Sequence, residues 1–449
     1  MAGFLGVVSS EDWADDIKAN DWTAQLFRLY PNGGLFDDGA IPITGITAAA
    51  GNTTETKSSK FYWFDKALAA QACNITANTF VHVDAALSVP YLTAYTAYDA
   101  AAGVVLYITV PIAFMDECVK GYDVLLTDTS DDRAMIRAAI IDLSAINATY
   151  GALIVKTYNA DSASADYNIG TCDRVIIMGS SFPEGSPMPP GMHYDPTEYY
   201  NYTGISKNAV EQTGTAMQEE LRTEAGYSED IREQGELHSI GEEWKCIFGY
   251  RSFTETDPET KKPKRTSMGC LEFIDTYNED MHIDWRRTVT YAGQKWVQGG
   301  AAWMEDFLAD YSIYAPSDVF VPCGNLVLKA VNDLAKYMGY VQLKSRDVDF
   351  GLKIHTWETP YMDIHFKPHP LFARETSLKR AAMFFHPKNL IRRPLRGRDT
   401  AFLPDINFDK GGENAVDTKK EGWRTECGWQ FLRAPQWAFL NGFGVDLDA

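Results

Sequence analysis

Residues 201–250, NYTGISKNAVEQTGTAMQEELRTEAGYSEDIREQGELHSIGEEWKCIFGY, decide how this chain is built. A β-like run from Tyr202 to Val210 meets a small-residue corner at Thr213, Gly214, Thr215 and Ala216, and a long helical pattern follows. Ser228 is placed to cap that helix, because a serine hydroxyl accepts from the free N–H groups of a first turn. Glu229 and Asp230 put negative charge where the helix dipole favours it. Gly249 stands where a left-handed residue would end the helix. The pattern predicts a helix over 229–248, roughly 30 Å long, interrupted by Gly235 and Gly241. Its apolar stripe, Leu237, Ile240, Trp244, Ile247 and Phe248, is expected to pack on the chain's own sheet. Arg232, Glu233, Glu236 and Glu243 are expected to stay solvated or to meet a neighbour. The segment reads as a beam between extended arms, with no chemistry of its own.

On the N-terminal side, residues 1–56 read as an arm. Beyond a short helix that Ser10 could cap, PNGG (31–34), FDDGA (36–40) and the Ala/Gly/Thr/Asn run to Thr56 carry little periodicity and would not pack alone. Residues 60–180 read β-rich, with Phe61–Phe64, Ala101–Val110, Tyr122–Thr127, Ala152–Tyr158 and Arg174–Met178 as strands. Ala134–Leu143 is helix or strand, and periodicity does not decide. Residues 180–200 hold five prolines and two glycines, which excludes helix interior and central strand. On the C-terminal side, 254–269 reads as a polar loop carrying Lys261, Lys262, Lys264 and Arg265. Residues 271–385 read α/β, with helices at Trp296–Tyr311 and Leu326–Met338, a strand at Ser317–Val321 and two strands around the Glu358–Pro360 turn. A basic run, Arg392, Arg393, Arg396 and Arg398, then a loop over 404–420 and the strand region Gly422–Leu432 form a long hairpin.

Composition bounds the function. The 449 residues suit two or three domains. Sixty-one acids against 41 bases give a net charge of −20, the reverse of a nucleic-acid reader's basic stripe. The first 200 residues hold 24 acids and 10 bases, the rest 37 and 31. Such a balance serves solubility, or a surface that must not trap polyanions. Seven scattered cysteines without a CxxC read as reduced core residues. The N-terminus lacks the basic region of a signal peptide, and no apolar stretch approaches the roughly 18 residues of a membrane span. The Asn-x-Thr triplets at Asn52, Asn74, Asn147 and Asn201 are then composition rather than glycosylation sites.

The search for chemistry finds no phosphate loop, nucleophile elbow or HExxH. His355, Asp363, His365 and His369 form the best metal-like set. Alternation puts 363 and 365 on one strand face and a hairpin could bring His355 near, but a Lys-Pro separates His365 from His369, and structural histidines explain the set better. Cys270, His282 and Asp284 could be drawn as a nucleophile set, though nothing ties them in space. The basic run is either a salt-bridged strand edge or an intersubunit contact through arginine forks. No catalytic, cofactor-binding or metal-binding residue is predicted, and no cofactor.

The 201–250 segment resembles the major capsid proteins of tailed double-stranded DNA phages with the Hong Kong 97-like fold, and it is similar to the group typified by the major head protein of elongated-headed podoviruses. The matching pieces stand in order: LFRLYPNGG (26–34) and PITGIT (42–47), SSKFYWFDKAL (58–68), YYNYTGI (199–205), VEQTGTA (210–216), EDIREQGELHSIGEEWKCIFG (229–249), TSMGCLEFI (266–274), VFVPCGNLVLKAVNDL (319–334) and DFGLKIHTWETPYMDIHFKPHPLF (349–372). The resemblance implies an α+β fold with an N-terminal arm at 1–56 and an E-loop with a β-rich insertion domain at 57–207. It implies a peripheral domain at 208–270 with its spine helix at 229–248, joined by a hairpin at 386–436, and an axial domain at 271–385 with the C-terminal tail 437–449. It further implies a virion protein, not an enzyme, that assembles in the host cytoplasm into hexamers and pentamers. The resulting icosahedral or elongated head encloses double-stranded DNA without reading its sequence. Decoration, scaffolding and portal proteins are the further partners, and no membrane is involved. No fused scaffolding segment and no Lys–Asn crosslink is indicated. The competing readings are another phage structural component, an encapsulin-like shell protein, or an intracellular metal-dependent enzyme built on the histidine set.

Overall fold

A computed structural model describes residues 46–49, 52–66, 71–75, 81–82, 85, 102–129, 131–160, 172–191, 193, 195–219, 226–259, 261–338, 344–347, 353–404 and 418–447. The chain divides into two compact units, one of Met1–Asp65 with Glu198–Ala449, the other Lys66–Thr197. The expected short helix after Ser10 and most of the 404–420 loop lie outside the described residues.

The unit Lys66–Thr197 is built on an antiparallel seven-stranded sheet. Its spatial order is Ala72–Asn74, Arg174–Ser180, Tyr122–Asp128, Asp131–Ala145, Tyr150–Thr157, Val105–Pro111 and Val81–His82. Strand alternation drives one face inward, and Leu106, Ile108, Val110, Val124, Leu126, Ile136, Ala138, Leu153 and Val155 form its core. The ambiguous Ala134–Leu143 segment is strand, because pairing with neighbours on both sides outweighs its alanine content.

The second unit holds two larger sheets and two clusters of buried side chains. A seven-stranded mixed sheet runs in the order His282–Asp284, Ala438–Asn441, Ala382–Phe384, Asp318–Cys323, Asp363–Pro368, Lys353–Glu358 and Lys344–Asp347. The amphipathic helices Trp296–Tyr311 and Asn325–Met338 pack their stripes into its core, where Trp285, Trp296, Trp303 and Phe443 meet edge to face or tilted. The other sheet centres on one long strand, Thr418–Phe431. It pairs with Gly204–Thr213 from Gly204↔Cys427 to Thr213↔Thr418 on one side, and with Leu390–Pro394 on the other. Asn52–Thr53 adds a parallel strand beside Leu390–Pro394. The described end of the arm therefore lies on its own chain.

The long helix spans Gly226–Phe248 and lies against Gly204–Thr213 and Thr418–Phe431. It begins earlier than expected, so Ser228 sits inside the first turn rather than at the cap. Gly249 ends it without a positive φ. The glycine is required by close approach instead. A Cβ there would come within 2.4 Å of Lys245 O and 2.5 Å of Ser267 O, and Gly269, facing it, would drive its own Cβ to 2.5 Å from Gly249 N. With both side chains absent, Gly269 N–H donates to Gly249 O at 2.8 Å. The corner before the helix is a short helix, Gly214–Gln218, capped by the Thr213 hydroxyl. The expected loop at 254–269 is instead a hairpin, Ser252–Thr256 against Pro263–Thr266, turning through Lys261 at φ 55°.

A two-stranded ribbon, Lys60–Asp65 with Thr197–Tyr202, is tied to this unit by Asn201, which is fully buried. Its amide nitrogen donates to Trp429 O (2.7 Å), Met268 O (3.3 Å) and Ser267 Oγ (3.1 Å), and its oxygen accepts from Met268 N and Tyr202 N, both at 2.8 Å. Replacing Asn201 with leucine strands these backbone groups and should cost about 2–4 kcal/mol in denaturant unfolding. Gly249→Ala should destabilise by about 1–3 kcal/mol through overpacking. Gly241→Ala, whose Cβ meets nothing within 4 Å, should stabilise by roughly 0.5–1 kcal/mol. Thermal melts of the two alanine variants would therefore move in opposite directions.

Candidate functional site

The inner face of the long helix is largely polar, which inverts the expected stripe at Leu237 and Phe248, while Ile247, fully buried, follows it and Trp244 packs against the buried core. Leu237 is 53% and Phe248 37% exposed, and Trp244 is only partly buried, whereas His238 and Glu243 are 3% and 0% exposed. The sheet explains the inversion. Along Gly204–Thr213, Ser206, Asn208 and Gln212 share one face at period two; along Thr418–Phe431, Glu421, Trp423, Thr425 and Cys427 do the same. Both rows point polar groups at the helix, so the helix answers in kind.

From its start the contacts run in sequence. Tyr227 OH donates to Glu421, and Gln212 to Asp230. Trp423 Nε1 donates to Ile231 O at 3.2 Å, with its indole over Gly235. His238 Nδ1 lies 2.8 Å from Asn208 Oδ1 and Nε2 2.7 Å from Thr425 Oγ1, a pairing that suits a ring protonated on Nδ1. Burial holds His238 below the ordinary histidine value. Glu242 accepts from Ser206 and from Cys427 Sγ (3.0 Å), while Lys245 donates to the same Ser206 hydroxyl. These residues, with Lys264 and Arg265, line a cleft of about 420 Å³. Ser206 directs its proton at a carboxylate and its lone pair at an ammonium, so the group is a clamp rather than an activated nucleophile.

Glu243 is the most demanding member. Ile46 N–H (2.6 Å) and His369 Nε2 (2.8 Å) donate to Oε1, and Thr47 N–H (2.9 Å) to Oε2. Burial alone pushes the Glu243 carboxyl up. The His369 hydrogen bond and charge, with the Thr47 and Ile46 N–H groups, outweigh burial and hold it below the usual carboxylate range. One carboxylate thus joins the arm, the helix and the residue following Asp363–Pro368.

The histidine set is not brought together. His369 is committed to Glu243, while His365 contacts Thr356 Oγ1 at 3.1 Å and Asp318 at 3.7 Å. In register, His355 lies opposite Phe366, not His365. Among the described residues no group of three or more His, Cys, Asp or Glu could hold a metal ion, and no helix is long and apolar enough to cross a membrane. Cys270 is buried, while His282 pairs with Asp275 at 2.6 Å and Asp284 with Arg286 at 2.7 Å. Burial pushes the Cys73 and Cys118 thiols up to about 12 and raises Cys246 and Cys427 as well. Three of the four arginines of the basic run are engaged within the chain: Arg392 pairs with Asp399 (2.6 Å), Arg393 donates to Gln430 (2.5 Å), and Arg398 joins Arg265 on the buried Glu426, while Arg396 is exposed.

The signs of these shifts set the acid response. His238 is depressed, so as pH falls below about 6.5 the unfolded chain takes up a proton that the folded chain resists, and stability declines. Glu243 is also depressed, and its contribution is lost as pH falls from about 4.5 through its folded value. Thermal melts from pH 8 to 4 should show two stages of loss, the upper removed by His238→Gln and the lower by Glu243→Gln. Glu243→Ala at neutral pH should cost about 3–5 kcal/mol, since it strands His369 and two N–H groups.

Known proteins bear on this geometry. A major capsid protein of Pseudomonas phage PaMx41 is 22% identical over 377 residues, which cover 83% of this chain and 78% of that protein. A chain of an encapsulin complex from Synechococcus elongatus aligns with a TM-score of 0.36 and 13% identity, covering 57% of this chain and 78% of that one. A chain from Mycobacterium phage Bobi aligns with a TM-score of 0.35 and 10% identity, covering 59% and 81%. The family model for the SU10 major capsid protein matches residues 15–442, taking in the ribbon, the polar seam, both sheets of the larger unit and the inserted unit. This chain belongs to the SU10 major capsid protein family.

Proposed function

We propose that the chain forms hexamers and pentamers that close into a phage head around double-stranded DNA, with the parts arranged in the Hong Kong 97-like manner. The family match across residues 15–442 carries this reading. In it, 1–56 is the N-terminal arm and 57–207 the E-loop with its inserted β-domain. Residues 208–270 with 386–436 make the peripheral domain, and 271–385 with the tail 437–449 the axial domain. The pairing of Gly204–Thr213 with Thr418–Phe431 supports grouping the long helix with the late hairpin. The place of Ala438–Asn441 in the seven-stranded sheet supports assigning the tail to the axial domain. A net charge of −20 suits a wall that encloses DNA without adhering to it. The subunit carries no catalysis and needs no cofactor. Assembly takes place in the host cytoplasm, with scaffolding, portal and decoration proteins as further partners. Each ring contact is heterologous, so rings close by rotation and modest contacts add around them.

Electron microscopy of the expressed full chain tests this: closed shells or ring lattices are expected, and a stable monomer at high concentration contradicts it. Arm truncations refine the test. Removing 1–44 should leave a subunit of near-native stability that forms no closed shells. Removing 1–50 should also lower the unfolding midpoint, because it takes the Ile46 and Thr47 N–H groups from Glu243.

A further inference from the structure

The ribbon Lys60–Asp65 with Thr197–Tyr202 is aromatic on both faces. Phe61, Trp63 and Tyr199 enter the buried core on one side. A ribbon with one buried face should present polar residues on the other. Instead four of the six alternate positions are aromatic, Tyr62, Phe64, Tyr200 and Tyr202, with Lys60 and Glu198 at the other two. Tyr62 is 48% and Phe64 59% exposed, and Phe253 of the adjoining hairpin is 48% exposed. The rings form a continuous row: Tyr62 to Tyr200 at 6.2 Å, Tyr200 to Tyr202 at 5.9 Å, and Tyr202 stacked on Phe253 at 5.6 Å. Two cations sit on the row. Lys60 Nζ lies 4.1 Å from the Tyr200 ring centre and 4.8 Å from that of Tyr62, and Arg251 Cζ lies 4.1 Å from Tyr200.

Such a surface has the composition of an interface core: tyrosine and phenylalanine with arginine, held rigid by stacking and by cation–π contacts. Rigidity matters, because little side-chain entropy remains to be lost when a partner arrives. We propose that the solvent-facing row Tyr62, Tyr200, Tyr202 and Phe253, with Phe64 on the same strand face as Tyr62, is a docking surface for a second copy of this chain, whose carboxylates meet Lys60 and Arg251. Two observations select that occupant. The row is aromatic and cationic on a chain that is otherwise strongly acidic, so another copy supplies complementary charge. The chain also belongs to a family of shell-forming subunits. Area decides how the contact behaves. A few partly exposed rings bury a few hundred Å², well under the roughly 1,200 Å² of a stable pair. The contact therefore holds only as one of several closing a ring, and isolated subunits do not dimerise through it.

This inference rests on the shell reading, and the experiment separates the two. Wild-type full chain and the Tyr62→Ser/Phe64→Ser/Phe253→Ser variant are compared for folding, by circular dichroism and thermal melting, and for assembly, by light scattering and electron microscopy. The variant should fold with a near-native spectrum and need at least about tenfold more protein to assemble, or fail to assemble. Lys60→Glu should weaken assembly in the same direction while lowering the melt only by the small amount its exposed cation–π contacts contribute. A folded variant that assembles at the wild-type concentration overturns the inference and leaves the shell reading intact. Wild-type protein that never assembles overturns the shell reading itself. Should the triple variant not fold, a photo-crosslinking benzoylphenylalanine in place of Phe64 gives the second readout. Chain-to-chain adducts in assembled particles and none in dilute subunits are expected. Adducts only to other proteins, or none in particles, overturn the inference.

Discussion

A carboxylate with no access to water must find its donors inside the fold, and Glu243 finds three of them in two places. The arm supplies Ile46 and Thr47 N–H, and the residue after Asp363–Pro368 supplies His369. These sites lie 197 and 126 residues away in sequence. Leaving any of them out would strand a buried charge, at a cost of several kcal/mol. The constraint is therefore directional in a way that apolar packing is not. A leucine stripe tolerates rotation of the helix by a fraction of a turn; Glu243, His238 and Glu242 each accept only the partners they have. The long helix is held in one register by polar contacts, and the sheet beneath it inherits that register through Ser206, Asn208 and Thr425.

The outer face follows from the inner one. With His238 and Glu243 turned inward, the helix is left with Leu237 and Phe248 on its wetter side, and the ribbon Lys60–Asp65 with Thr197–Tyr202 leaves Tyr62 and Phe64 outward as well. An isolated globular protein would usually hide such groups or lack them. A capsid subunit has a different requirement, since its final solvent boundary is set by its neighbours. In the proposed shell, a subunit made rigid from within by hydrogen bonds would meet its neighbours through these surfaces.

Much of this was legible in the residues, and what was not has identifiable causes. The helix Trp296–Tyr311 follows from hydrophobic period, and Val105–Pro111, Tyr122–Asp128, Tyr150–Thr157 and Arg174–Ser180 from short β-branched runs, whereas period left Ala134–Leu143 open; the order of the motifs anticipated the family. On Gly226–Phe248 the burial of Ile247 followed from the period but that of His238 and Glu243 did not, because periodicity equates burial with apolarity, and Glu243 is buried for its partners rather than its hydropathy. Those partners are distant in sequence, so no local window contains them. Gly249 was assigned to a left-handed turn when its role is to let Ser267 and Gly269 approach, a contact that no single stretch reveals. The hairpin Ser252–Thr256 with Pro263–Thr266 was hidden by its charge, since lysine-rich solvated strands resemble loops in composition. Asn201 looked like part of a chance triplet, yet its five hydrogen bonds make it a joint between ribbon and sheet. The one available signal was the period-two recurrence of Ser206, Asn208 and Gln212, which marks a polar face and could have been set against an equally polar helix face.

Amide hydrogen exchange at Ile46 and Thr47 tests the central constraint most directly. If Glu243 holds both N–H groups, their protection at neutral pH should approach that of the long helix, and the protection factors should fall only as pH drops through the folded carboxyl's own value, which lies below the ordinary 4.5. Exchange of both amides at near-random-coil rates at neutral pH, with the long helix still protected, would contradict it.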